Sequence, residues 1–356
     1  MFGFGRKKTQ PTFKQRVASF WKWYAANADH FLQTINGDRC ADLMPEVSEF
    51  MDVTLPKLCW AFGPGEEGGH SFTLTGEGDR LRQLLTDYWL QQAPTIKGWT
   101  FYASRQPSSA EALKNMSISL GEDAQVDCES LLVKTDVDAD KQLIHIVAWH
   151  TRFAELPEEH RGKILFLLLD EALGEFGVEK WIGGIEIKPI VPGEFVRPLV
   201  SLPDFIEKMN AYHQWEKLEP LDTYSTYQLD EQFHHRRGDV FVGTTCIPNV
   251  IGELIEHEGR LPSDPLAQLG AELAYFTFDS AAFPEGAEVK ARGEVEDALD
   301  EALQTQASGR VLGGAFGTEH AYIDLLLFDG EDSRRIVETT LKPFELRGPR
   351  SFETFC

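Results

Sequence analysis

Apolar residues recur at Val17, Phe20, Trp21, Tyr24, Ala28, Phe31 and Leu32. That spacing lays them on one stripe and predicts a helix from Phe13 to Asn36, closed by Gly37. Met44 to Phe62 predicts a second helix, kinked or shortened at Pro56. Ser71 to Thr75 alternates as a strand does, and Asp79 then caps a helix running through Leu90. Trp99 to Ala103 predicts another strand. Val126 to Lys134 and Leu143 to Trp149 predict a hairpin across the acidic turn Asp136 to Asp140. Pro157 to Glu175 predicts a helix, and Trp181 to Pro189 a strand.

Pro189, Pro192, Gly193, Pro198 and Pro203 then crowd together and mark a break. Asp204 to Glu216 predicts a bridging helix. From Asp222 onward the pattern predicts strands at Tyr224 to Leu229, Val240 to Cys246 and Glu272 to Phe278. Helices are predicted at Asn249 to Glu258, Val295 to Ala307 and Ser333 to Leu341. Arg310 to Ala315 and Tyr322 to Phe328 form a further hairpin. The expected organisation is a basic leader (1–12), a first domain (13–190), a Pro-rich linker with its bridging helix (191–221) and a second domain (222–356). Hairpins mixed with helices imply an α+β fold, each domain a mainly antiparallel sheet with helices packed on it. The helix–strand–strand–helix order of Val295 to Leu341 suits a ferredoxin-like arrangement for part of the second domain.

Charge changes the picture of the partner. The formal net charge of the 356 residues is −23. Duplex nucleic acid is thereby disfavoured, because such interfaces rest on Lys and Arg contacts to phosphate. A basic protein partner is permitted. Residues Met1 to Arg16 run the other way, with Arg6, Lys7, Lys8, Lys14 and Arg16 and no acid. The longest apolar run, Ile164 to Leu169, is far short of the roughly 20 residues that span a bilayer. The five cysteines are dispersed, with no CxxC pair, which suits a reducing cytoplasm and excludes a local zinc-ribbon motif.

No cofactor or metal motif survives inspection. Gly76-Glu77-Gly78-Asp79-Arg80-Leu81 lacks the third glycine of a dinucleotide loop and carries acids where pyrophosphate would sit, so it reads as a turn and helix cap. Gly313-Gly314-Ala315-Phe316-Gly317 leads into a strand and reads as a bulged hairpin. Asp136-Val137-Asp138-Ala139-Asp140 lacks the glycine and the terminal Glu of a calcium loop. His234-His235-Arg236-Arg237 is a small basic island able to grip a carboxylate or phosphate, or else a solvated loop. Trp21, Trp23 and Tyr24 spread around one helix. They are either buried or a partner-binding surface.

The richest segment is Leu167 to Ile187. Leu165, Leu168, Leu169, Ala172, Leu173 and Phe176 form a buried stripe on the predicted helix, while Glu171 and Glu175 stack four residues apart. A like-charged pair at that spacing costs ~0.2–0.5 kcal/mol, and carboxylates at a helix C-terminus cost a further ~0.3–1 kcal/mol. Such penalties call for compensation, from Arg152, Lys180 or Lys188 or from a partner. Alternatively Asp170, Glu171, Glu175 and Glu186 are acids of a binding or catalytic site.

Leu169-Asp170-Glu171-Ala172-Leu173-Gly174-Glu175, followed by Trp181-Ile182-Gly183-Gly184-Ile185-Glu186, resembles the bacterial family catalogued as domain of unknown function 695. Phe20-Trp21-Lys22-Trp23, Pro94, Gly98-Trp99 and Arg105-Gln106-Pro107 fit the same pattern, so the likeness spans about Phe13 to Pro189. It implies an α+β fold and no particular chemistry. Gly309-Arg310-Val311-Leu312-Gly313-Gly314 with Tyr322-Ile323-Asp324 more faintly resembles the ferredoxin-like regulator of ribonuclease E activity of the B type, an acidic protein that acts by binding an enzyme. The expected function is a non-catalytic, protein-binding or regulatory role. The alternatives are a hydrolase or nuclease-like enzyme built on dispersed carboxylates and an immunity-type or structural protein.

Overall fold

The computed structural model describes residues 10–66, 68–120, 124–190, 193–229, 237–283, 286–344, 346 and 350–356. The chain divides into two compact units. A central unit comprises Leu58–Gln91 and Lys97–Thr223; a terminal unit comprises the residues through Lys57 together with Gln92–Ile96 and Tyr224–Cys356. This differs from the expected organisation in two ways: the first two helices group with the C-terminal half, and residues 191–221, expected as a linker, lie inside the central unit, which runs to Thr223.

Helix α1 (Phe13–Asn36) starts from a capping box in which Thr12 accepts from the Gln15 N–H and the Gln15 side chain accepts from the Thr12 N–H. Its anchor to the C-terminal half is backbone: the Phe13 N–H donates to Gly270 O and the Lys14 N–H to Phe328 O, both at 2.9 Å. Helix α2 (Met44–Thr54) is shorter than expected. Lys57 takes a left-handed φ of 67° just after Pro56, and Cys59 onward is a strand instead. The Arg16 guanidinium donates to Val53 O and Thr54 O at 2.9 and 3.1 Å, closing the C-terminus of α2 with a cation.

In the central unit, β1 (Cys59–Pro64) and β2 (His70–Thr75) pair antiparallel, and β2 crosses through α3 (Arg80–Gln91) to the parallel strand β3 (Trp99–Tyr102). Trp89 of α3 is fully buried against Phe72 and Phe101. After α4 (Ala110–Asn115), the expected strand Val126 to Lys134 is divided. Strands β4 (Ser117–Leu120) and β5 (Ala124–Asp127) form one hairpin, and β6 (Leu132–Asp138) pairs with β7 (Leu143–Trp149) in another. The chain continues through α5 (Glu158–Leu173), α6 (Glu175–Trp181), β8 (Ile182–Ile187), β9 (Val196–Pro198) and α7 (Leu202–His213). The second sheet has the order β8-β7-β6-β9, with β7 and β8 parallel. Ile164, Leu165, Leu168, Leu169 and Ala172 of α5 share one core with Val133, Ile144, Ile146 and Ala148 of that sheet. The paired glycines of β8 have a specific cause. A Cβ at Gly183 or Gly184 would lie 2.8 or 3.0 Å from the His145 ring, and the Gly184 N–H donates to His145 Nδ1 at 2.7 Å.

The terminal unit continues with β10 (Ser225–Gln228), β11 (Val240–Thr245), α8 (Pro248–Glu256), β12 (Glu272–Asp279), α9 (Glu288–Thr305), β13 (Gly309–Gly317), β14 (His320–Leu327), α10 (Glu331–Thr340) and β15 (Ser351–Thr354). Its sheet order is β10-β11-β13-β14-β12-β15, antiparallel at every pairing. The run β12-α9-β13-β14-α10-β15 is the ferredoxin-like split unit, extended at one edge by β11 and β10. Val295, Leu299 and Leu303 of α9 and Val337 of α10 pack into a core with Phe278, Ile323 and Leu325. Both units are therefore α+β, and the ferredoxin-like expectation for the second half holds for this run.

Within this unit the fully buried Asp324 is held bidentate by Arg237, one contact being 3.2 Å. The guanidinium lies between the Tyr275, Tyr322 and Phe355 rings, 4.9–5.5 Å from their centroids. Removing one member of such a pair leaves an uncompensated buried charge, at a cost of about 3–5 kcal/mol. Arg237→Met is expected to lower the unfolding free energy by that amount in urea denaturation. A loss below about 1 kcal/mol would contradict the dependence of this core on the Arg237–Asp324 pair.

Candidate functional site

Leu167 to Ile187 forms two helices where the sequence pattern predicts one. Helix α5 stops at Leu173, because Gly174 adopts a φ of 75°. A Cβ on Gly174 would sit 2.9 Å from Pro107 Cδ and 3.1 Å from Arg105 O, so only glycine fits this approach. Glu175 thereby opens α6 and does not end α5. The helix-dipole penalty expected for Glu175 reverses sign, since an acid in a first turn is favoured.

The Glu175 carboxylate is buried, 4% exposed, and fully engaged. Its Oε2 accepts from Thr75 Oγ1 at 2.6 Å, and its Oε1 accepts from the Gly78 N–H at 2.9 Å and Gln83 Nε2 at 2.8 Å. The Glu175 N–H donates to Arg105 O at 3.0 Å. The turn before α3 is shaped for this. Glu77 and Gly78 take φ values of 54° and 76°, and a Cβ on Gly76 would lie 2.6 Å from Gln83 N. Asp79 Oδ1 accepts from the Arg82 N–H at 3.0 Å, so the turn-and-cap reading of Gly76 to Leu81 is correct. The turn before this helix thus cradles the chain's own carboxylate.

The neighbouring acids part company. Glu171 Oε2 accepts from Ser108 Oγ at 2.6 Å. Glu186 is ion-paired with Lys188 at the exposed surface. Glu77 is paired with Arg105 at 2.7 Å and Glu179 with Arg80. Among the described residues the Asp170 carboxyl alone of these acids has neither a hydrogen bond nor an ion pair; its backbone carbonyl accepts from the Gly174 N–H at 2.8 Å. It lines a cleft of about 1120 Å³ with Glu175, Gln83, Lys163 and the apolar side chains of Val178, Ile182 and Ile185. Phe166 and Leu167 also line this cleft and are 50% and 37% exposed. Burial pushes the Asp170 carboxyl up to about 7, and the Glu175 charge adds to the shift while Arg105 opposes it. Two of the four acids singled out from the sequence, Asp170 and Glu175, thus meet in one cleft. Glu171 contributes through its field on Asp170, and Glu186 lies outside the cleft lining.

The other sequence candidates are elsewhere. His234, His235 and Arg236 lie outside the described residues. Arg237 does grip a carboxylate, but that of Asp324, and at 8% exposure it is committed to the core. Trp21 and Tyr24 are buried, at 6% and 0% exposure, and do not form an open partner surface, while the half-buried Trp23 stacks on Phe50 at 3.9 Å. No group of three His, Cys, Asp or Glu side chains able to hold a metal ion occurs among the described residues.

One constellation had no local sequence signal. His150 Nε2 lies 2.9 Å from Ser130 Oγ, which in turn contacts Asp127. It is not a nucleophilic triad. His150 Nδ1 accepts from the Arg152 N–H at 3.1 Å, so Nε2 carries the proton and donates to Ser130, whose hydroxyl donates to Asp127. The proton order is opposite to that of a general base acting on serine. Burial holds the His150 pKa below its ordinary value, with Asp127 opposing, and the imidazole serves as a neutral brace.

Comparison of the chain with family models, with curated proteins and with solved structures finds no match.

The Asp170 pKa has a consequence for stability. Folding raises it, so between about pH 4 and about pH 7 the native state retains a proton that the unfolded chain has released. The Asp170 contribution to stability is therefore intact at low pH and falls as pH rises through that window. Asp170→Asn is expected to match the wild type in urea midpoint near pH 4 and to exceed it at pH 8. A variant less stable than the wild type at pH 8 would contradict the burial of an unpaired carboxyl here.

Proposed function

We propose that this chain is a non-catalytic, protein-binding protein of the cytoplasm, and that the cleft beside α5 and α6 receives a segment of its partner. The observation that carries this reading is the pair Phe166 and Leu167. They stand exposed on the helix whose opposite side supplies the core, and they open into a cleft walled by further apolar side chains. Exposed aromatic and aliphatic groups in a concavity are typical anchors for a partner. The net charge of −23 favours a basic partner over nucleic acid. The five cysteines, none in a disulfide, suit a reducing compartment. A ferredoxin-like core in the terminal unit agrees with the resemblance to the ribonuclease regulator, although a fold of this kind hosts many functions.

A second reading, an acid–base hydrolase with Asp170 as proton donor, rests on that carboxyl's raised pKa. Among the described residues that line the cleft it lacks a second uncommitted carboxylate, since Glu175, Glu77 and Glu179 are engaged by Thr75, Arg105 and Arg80, and Glu171 and Glu186 are held by Ser108 and Lys188. The docking reading is tested by replacing Phe166 with a photo-crosslinking amino acid in whole cells. Discrete adducts of defined mass are expected at Phe166 and none when the same group replaces the exposed Val289 of the terminal unit. Equal labelling at both positions, or none at Phe166, would contradict it.

A further inference from the structure

Resting on the docking reading, we infer that the cleft takes a lysine or arginine side chain carried on an apolar segment of the partner, with the cation seated at Asp170. Acceptors at the cleft floor outnumber donors. The donors that converge there, from Thr75, Gly78 and Gln83, are all spent on Glu175. The Asp170 carboxyl receives none. Gln83 lines the same cleft at 1% exposure, and its Oε1 accepts no hydrogen bond. The amide cannot be turned to relieve this, because its nitrogen must face the Glu175 carboxylate. The Gln83 carbonyl oxygen is therefore a second unsatisfied acceptor in a residue that lines the cleft.

The fixed charges around Asp170 offset its field only in part. Arg105, on the loop after β3, is held by Glu77 of the turn before α3. Glu171 and Glu175 flank Asp170 along the chain. Among the described residues that line the cleft, Lys163 is a cation without an ion pair, but it lies seven residues earlier on α5, about 10 Å away along the helix axis. A neutral apolar ligand would leave the acidic floor unsatisfied. A cation on an aliphatic stem satisfies it while the stem lies against Phe166, Leu167 and Ile182. Its arrival also displaces the proton that burial keeps on Asp170 near neutral pH.

The test is calorimetric titration of the full chain with a synthetic leucine-rich helical peptide bearing one central lysine, and with the same peptide carrying norleucine in its place. Measurements are made near pH 7 in two buffers of different ionisation enthalpy. The norleucine peptide is expected to bind roughly tenfold to a hundredfold more weakly, as loss of a charge-assisted contact implies. Asp170→Asn should weaken the lysine peptide by a similar factor and leave the norleucine peptide unchanged. Proton release should accompany the lysine peptide with the wild type alone. Equal affinity for both peptides, with no proton release, would overturn the cationic inference and leave an apolar docking cleft standing. Failure of both peptides to bind would overturn the docking reading as well.

Discussion

The burial of the Glu175 carboxylate organises the central unit. A charge at 4% exposure is tolerated only where donors replace its water, and here three of them converge within 2.6–2.9 Å. Those donors come from the end of β2, the turn before α3 and the first turns of α3. The backbone of Glu175 meanwhile binds Arg105 on the loop after β3. One side chain thus ties α6 to the three-stranded sheet, and α6 is continuous with β8 of the four-stranded sheet. The direction in which α5 and α6 present the cleft follows from that tie, and so does the isolation of Asp170. The donors of Thr75, Gly78 and Gln83 are already taken.

The terminal unit spends its buried charge in the same way. Arg237 and Asp324 neutralise each other under three aromatic rings, and Arg292 pairs with Glu296 at 3.0 Å along α9. Buried cations are absorbed internally in both cases. Most of the net acidity is left to the solvated surface, where it steers approaching partners more than it stabilises the fold.

Periodicity made most of the elements legible. The stripe of α1, the alternation of β7 and β12 and the β13–β14 hairpin all follow from apolar spacing. Three features did not follow from it. The break at Gly174 lies inside a helical apolar pattern, and its cause is a close approach by Pro107 and Arg105, distant in sequence. The grouping of α1 with the C-terminal half rests on Phe13 and Lys14 bonding Gly270 and Phe328, contacts that leave no mark on local composition. Trp21 and Tyr24 could be read as core or as surface, and only packing decides between the two. The acidic segment was legible as a place of unresolved charge. Which of its acids is satisfied depends on Thr75, Gln83 and Ser108, neutral donors far away in the chain.

Two carboxyls divide the roles in this cleft, Glu175 saturated with donors and the Asp170 carboxyl left without them. Carbon-13 titration of the side-chain carboxyls, with Asp170 assigned by comparison with Asp170→Asn, tests this division most directly. The account predicts an Asp170 midpoint of about 7 in the native protein, moving toward the ordinary carboxylate range in Glu175→Gln as the adjacent charge is removed. An Asp170 that titrates near ~4 in the native protein, as a solvated aspartate does, would contradict it.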